Sequence, residues 1–258
     1  MLRAYMIIGI MCGILLACFA CGKSEPLLVF ASNSLREVFT ELQPAAEKVC
    51  GRSIAYTFAT AGVLRQQIEG GAIADVFVPS SEHDMDILEE KGALAEGTRS
   101  VILKNALTVI GQPGSAHVFG RAALRDLLDA APKFAMGDPR LVPAGRYADA
   151  VIPWLELTRS TNGRILLGNP VRQVVEFVEA GTAQYGFVFG SDAHLSDGRG
   201  KSSLVYQFSD AELNGEPIIY PAAVLGNAPQ KGPARAFVKF LGSAEAKKVF
   251  IKAGFSIS

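Results

Sequence analysis

The sequence is short of the groups that carry most enzyme chemistry or grip nucleic acid. Its 258 residues include three histidines, four cysteines and one tryptophan, and 25 Lys+Arg exactly offset 25 Asp+Glu. Without a basic run there is nothing to neutralise a phosphate backbone, so a nucleic-acid partner is not expected. His83, His117 and His194 lie far apart, none with a Cys or His at ligand spacing, so no zinc site is expected. No Gly-x-Ser-x-Gly elbow occurs, which leaves an α/β-hydrolase without its nucleophile. Gly200-Lys201-Ser202 ends like a phosphate loop, but Leu195 stands where the earlier glycine is required. The expectation is a chain that is not an enzyme and carries no cofactor.

What is present begins with an export signal. Arg3 precedes an uncharged apolar run from Ala4 to Ala20, and Cys21-Gly22-Lys23-Ser24 follows. A positive start, a short apolar core and small residues before the break describe a secretory signal over residues 1–20. An anchoring helix is the alternative, since the run barely reaches spanning length. The ending resembles a bacterial lipoprotein signal, which places the lipid on Cys21, with Cys18 as the second choice. Cys12 and Cys18 then leave with the signal and Cys50 is the one free thiol, so no disulfide framework is expected. Losing Arg3 leaves 24 basic against 25 acidic residues, a net of −1.

Beyond Pro26, short β-rich runs alternate with helical stretches. Leu27–Ala31, Ile54–Phe58 and Asp75–Val78 read as strands, and the continuously apolar first run predicts burial on both faces. Between them, Ser34-Leu35-Arg36-Glu37 reads as a capping box opening a helix with Leu35, Val38, Phe39, Leu42 and Val49 inward. Val63–Glu69 reads as a helix closed by Gly70-Gly71. This β-α-β-α order predicts a parallel sheet covered by helices. A second series follows, with strands at Leu107–Gly111, Lys133–Met136 and Tyr185–Phe189 and helices at Arg121–Ala130, Tyr147–Leu155 and Val171–Glu179. Ile218–Leu225 returns as a strand before two final helices, the second capped by Ser243. Two α/β units in series imply two lobes with a cleft, hinged near Lys104–Thr108 and Tyr220–Ala223. Lobe 1 is expected to hold residues 21–105 and 222–258, and lobe 2 residues 106–221.

Small or hydroxylated residues recur where strands lead into helices: Ala31-Ser32-Asn33-Ser34, Ala59-Thr60-Ala61-Gly62, Pro143-Ala144-Gly145 and Asn169-Pro170-Val171. A helix N-terminus exposes unpaired N–H groups and about half a positive charge. Four converging ends supply roughly two positive charges, enough to match a dianion without lysine or arginine. Small residues let the guest reach the backbone. The same features also serve ordinary capping and βα turns in any doubly wound protein.

Over Leu27–Ile257 the chain resembles the molybdate-binding proteins that deliver oxyanion to an ABC importer, members of the type II periplasmic-binding-protein fold. The resemblance rests on Val29-Phe30-Ala31-Ser32-Asn33-Ser34-Leu35, on Gln67-Ile68-Glu69-Gly70-Gly71-Ala72 running into Ala74-Asp75-Val76-Phe77, and on Gly137-Asp138-Pro139 before Val142-Pro143-Ala144-Gly145-Arg146-Tyr147-Ala148. Val171-Arg172-Gln173, Gly186-Phe187-Val188-Phe189-Gly190-Ser191-Asp192-Ala193 and Ala253-Gly254-Phe255 complete it. It implies two doubly wound sheets with helices on both faces and a ligand cleft between them. It also implies a monomeric, lipid-tethered extracytoplasmic receptor, with a membrane permease as partner and molybdate, or tungstate, as guest.

In that family serine hydroxyls, backbone N–H groups and a tyrosine hydroxyl hold the oxyanion. By position, Ser34 gives hydroxyl and N–H, while Ala144 and Val171 give N–H alone. Ala61 stands where the family has a second serine, and Phe189 where it has the tyrosine, so two hydroxyl donors are missing. At roughly 1.5–3 kcal/mol each, their loss costs two to four decades of affinity unless Thr60, Tyr147 or an ordered water replaces them. No Asp or Glu falls on these loops, which disfavours the tungstate-selective branch that uses carboxylates. Sulfate, thiosulfate and phosphate are the alternative guests.

Overall fold

The computed structural model describes residues 25–157 and 163–257; the signal segment, Cys18 and Cys21 lie outside the described residues. The chain begins with β1 (Leu27–Ser32), a 3-10 turn (Asn33–Leu35), α1 (Arg36–Cys50), β2 (Ile54–Ala59), α2 (Ala61–Glu69), β3 (Val76–Val78), α3 (Glu82–Glu90) and β4 (Ser100–Asn105). A second series comprises β5 (Leu107–Gly111), α4 (Arg121–Ala130), β6 (Phe134–Gly137), α5 (Pro143–Trp154), β7 (Ile165–Gly168), α6 (Val171–Glu179), β8 (Tyr185–Phe189), α7 (Gly190–Asp197) and β9 (Ser203–Gln207). The chain then returns through β10 (Ile218–Val224), α8 (Lys231–Leu241) and α9 (Ala244–Lys252).

The strands form two five-stranded sheets, ordered β2-β1-β3-β10-β4 and β7-β6-β8-β5-β9. Both are mixed rather than parallel throughout. β1 runs parallel to β2 and β3, but β10 is antiparallel to β3 and β4. Likewise β6 is parallel to β7 and β8, whereas β5 is antiparallel to β8 and β9. The antiparallel members are the strands that cross between sheets or flank a crossing. They escape the handed crossover helix that a parallel pair requires.

Apolar patterning explains the core. Leu27, Val29 and Ala31 are fully buried in β1, as its unbroken run requires. In α1 the buried stripe steps through Val38, Phe39, Leu42, Ala46 and Cys50. Val49, expected inward, stands at the edge of that stripe and is 53 % exposed. The terminal helices join the first lobe, because both pack on α1. Phe39 meets Phe237 of α8 edge-on at 5.8 Å and Phe250 of α9 at 6.5 Å. Burying each such ring contributes roughly 1.5–3 kcal/mol.

Two chain crossings join the lobes. One is the single residue Ala106 between β4 and β5. The other precedes β10, because Ile218 already pairs with Asn105 in the first sheet. The expected boundary at Ala222 therefore falls inside a strand, and the return occurs ahead of Ile218. Ser256 and Lys104 exchange backbone hydrogen bonds of 2.8 and 3.0 Å, fastening the chain's end beside the first crossing.

Candidate functional site

Parallel strands that each feed a helix bring their carboxyl ends, and the helix N-termini that follow, to one edge of a sheet. Here the edges of the two sheets face each other. The turn after β1 and the starts of α2, α5 and α6 surround a cavity of about 20 Å³, room for roughly one water-sized sphere. Ser34, Val171 and Phe189 line it directly. Ala61 and Ala144 stand one residue behind the lining residues Thr60 and Pro143, both fully buried. Their positions are N1 of α2 and N2 of α5, where the backbone N–H has no acceptor within the helix.

No charged side chain lines this cavity. Two larger clefts beside it differ in that respect. One, of about 350 Å³, lies between α1, α7 and α9 and mixes Glu37, Glu41 and Asp192 with Arg199 and Lys252. The other, of about 550 Å³, mixes Glu82, Asp86 and Glu216 with Arg146. The small cavity is distinguished by having helix N-termini around it and neither carboxylates nor cations on its wall.

Ser34 does not cap α1. The helix begins at Arg36 with Leu35 as N-cap and no side-chain cap bond. The expected capping box is absent because tertiary contacts take both of its members. Ser34 Oγ lies 3.2 Å from the Tyr220 hydroxyl, and Glu37 pairs with Arg172 of the other lobe. A turn of 3-10 helix instead carries Ser34 to the cavity wall, half-buried.

The Ser34 contact is organised from behind. Asn105 Oδ1 accepts the N–H groups of Ala106 (2.9 Å) and Ser191 (3.3 Å), which orients the amide. Its Nδ2 then donates to the Tyr220 hydroxyl at 3.1 Å and to Ser191 Oγ at 3.0 Å. Tyr220 and Ser34 share a hydrogen bond in which either hydroxyl can donate, and this network holds the Ser34 hydroxyl at the cavity wall. Burial pushes the Tyr220 phenol well above its ordinary pKa, so it stays protonated. Sequence reasoning missed Tyr220 and Asn105, and no local pattern marks either residue.

Phe189 occupies the end of β8 with its ring between Tyr147 (6.4 Å) and Tyr220 (6.0 Å). Tyr147 lies in the 550 Å³ cleft rather than on the small cavity. Burial pushes its phenol up to about 12. Thr60 does line the small cavity, and its Oγ1 is buried without a hydrogen-bond partner among the described residues.

Ion pairs bridge the lobes on the flanks. Arg146 of α5 reaches Asp84 Oδ2 at 2.5 Å and Ser81 Oγ at 2.8 Å. Asp84 is almost fully buried and also accepts from Arg65 Nε at 3.1 Å. Gly62 makes the approach possible, since a Cβ there would stand 3.1 Å from the Leu141 carbonyl oxygen across the cleft.

Two α/β lobes joined by neighbouring crossings, with a small uncharged cavity between them, have the architecture of a solute-binding protein. The chain belongs to the bacterial extracellular solute-binding protein family, whose model matches residues 27–256. It is accordingly a binding protein that works outside the cytoplasm, not an enzyme. It is 31 % identical over 241 residues to the molybdate-binding protein ModA of Haemophilus influenzae, covering 92 % of each chain. It is 30 % identical to a putative ABC transporter substrate-binding lipoprotein, YvgL, of Bacillus subtilis, over 91 % of this chain and 87 % of that one. Among solved structures, the substrate-binding domain of a putative molybdenum ABC transporter from Clostridium difficile superposes with a TM-score of 0.70 at 27 % identity, covering 90 % of this chain and 99 % of that one.

Proposed function

We propose that this protein captures molybdate, as a tetrahedral dianion, and delivers it to the permease of an ABC importer. The observation that carries this reading is a small cavity with no charged wall, faced by helix N-termini from both lobes. Ser34, Ala61, Ala144 and Val171 supply the N–H groups, and Ser34 adds its hydroxyl. Phe189 contributes an apolar wall. Similarity to proteins named as molybdate-binding supports the choice of guest. Calorimetric titration of the purified protein with molybdate, tungstate, sulfate, thiosulfate and phosphate tests it. Molybdate is expected to bind 1:1 and at least tenfold more tightly than sulfate or phosphate; the reverse order overturns the reading.

The receptor works as a monomer tethered by a lipid on Cys21, a reading supported by the cysteine after the apolar segment and by a relative named as a lipoprotein. Incorporation of a fatty-acid analogue in the native host should vanish in Cys21→Ser and persist in Cys18→Ser. The opposite pattern would move the anchor to Cys18.

A further inference from the structure

We infer that Thr60 is a direct hydroxyl donor to the bound oxyanion and takes over the role that alanine at position 61 cannot fill. The inference rests on the reading of this cavity as an oxyanion site. Three observations converge on it. Thr60 is the N-cap of α2, with φ −69° and ψ 146°, yet its side chain makes no capping bond to its own helix. A threonine at this position ordinarily spends its oxygen on the N2 or N3 amide. The hydroxyl has no other partner among the described residues, although the residue is 7 % exposed and its oxygen is shielded from solvent. Buried hydroxyls are bonded in the great majority of cases, so an unspent one calls for an acceptor that arrives later. And Thr60 lies on the wall of the small cavity with Ser34, Ser80 and Val171.

The neighbours do not offer a rival explanation. Ser32 Oγ, on the same wall, is engaged by the Ser80 N–H at 2.9 Å. Ser34 Oγ is engaged by Tyr220. Thr60 alone of these three presents an oxygen with no partner among the described residues. Because its hydroxyl has no partner among the described residues, it and the uncapped N–H groups at the start of α2 are both available to one guest. An oxyanion accepts both at once, whereas a cation would meet the donors' positive ends. Thr60 is thus the residue through which the second loop contributes more than its backbone.

Molybdate titrations of wild type, Thr60→Val and Thr60→Ser, combined with melting curves with and without the ion, test this. Thr60→Val conserves shape and removes the unspent hydroxyl. Its ligand-free melting temperature is expected to match or exceed that of wild type, while molybdate affinity falls at least tenfold. Thr60→Ser is expected to stay within about threefold of wild type. A purely structural threonine would give the opposite signature, a lower ligand-free melting temperature with unchanged affinity, and that result overturns the inference. If wild type binds molybdate and Thr60→Val binds it equally, Thr60 is excluded while the reading of the cavity stands. If wild type binds none of the oxyanions, both fall together.

Discussion

The hydroxyls of Ser34 and Tyr220 lie 3.2 Å apart although 186 residues separate them in the chain. Ser34 belongs to the first turn after β1, and Tyr220 to the strand that follows the second crossing. Asn105, at the other crossing, holds Tyr220 in turn. The residues that hold the Ser34 hydroxyl at the cavity wall are therefore the residues around which the lobes are joined.

Removing the aimed hydroxyl is the most direct test. Ser34→Ala is expected to weaken molybdate binding at least tenfold, since a hydrogen bond to a charged group contributes roughly 1.5–3 kcal/mol. Calorimetry with an unchanged dissociation constant would take Ser34 out of the site.

Tyr220→Phe keeps the ring and deletes only the relay. The Ser34 hydroxyl stays in place but loses the partner that orients it, so affinity should fall by about two- to tenfold, less than in Ser34→Ala. A double mutant no weaker than Ser34→Ala alone would place both residues in one network.

The flanking ion pair is expected to act on closure. Arg146→Ala leaves Asp84 with Arg65 as its remaining cationic partner. Stopped-flow release of molybdate should then quicken several-fold while the association rate changes little, as most affinity changes reside in dissociation. Unchanged release would reduce the pair to a bystander.

Asp192 gives a pH signature. Burial, only partly offset by the nearby Arg172 charge, pushes its carboxyl up to about 7 from an ordinary 3.8, and one carboxyl oxygen has no partner among the described residues. A carboxyl that binds its proton more tightly when folded favours the fold in acid, and that contribution is lost as pH rises from about 4 through 7. Between pH 5 and 8 the melting temperature of wild type should therefore decline relative to Asp192→Asn. Parallel curves would show that Asp192 keeps the same pKa on unfolding.

The close packing behind Ala144 predicts a stability effect. A Cβ on residue 145 would lie 2.2 Å from the Gly137 carbonyl oxygen, so Gly145→Ala must push the start of α5 away from β6. Overpacking of this kind costs about 1–3 kcal/mol, or a fall of roughly 3–10 °C in melting temperature for a chain of this size. An unaltered melting curve would mean that the two elements separate freely.

Much of the fold was legible because it is written in short-range patterns. The apolar run at Leu27–Ala31 and the valines at 171, 174, 175 and 178 announce their elements, and the structure has a strand and a helix there. β4, β7 and β9 were not read as strands. β7 is only four residues with Leu167 half exposed, and β4 ends in Lys104 and Asn105, so the apolar run in each is three residues, shorter than the run that marks a strand. At the site, the helix entrances were visible as small residues after strands. Local spacing marks Ser34 as a cap, but its hydroxyl is claimed from a distant strand, and spacing carries no trace of a partner at position 220. Tyr147 was a reasonable substitute donor by proximity to Ala144, but α5 turns its side chain into the neighbouring cleft.

The neutral lining of the small cavity has an evolutionary corollary. Where a cargo's charge is balanced by a guanidinium or an ammonium, one codon change abolishes the balance. In the proposed site the balancing groups are peptide N–H groups, which every residue but proline possesses, so alanine at 61 or phenylalanine at 189 would leave that counter-charge intact.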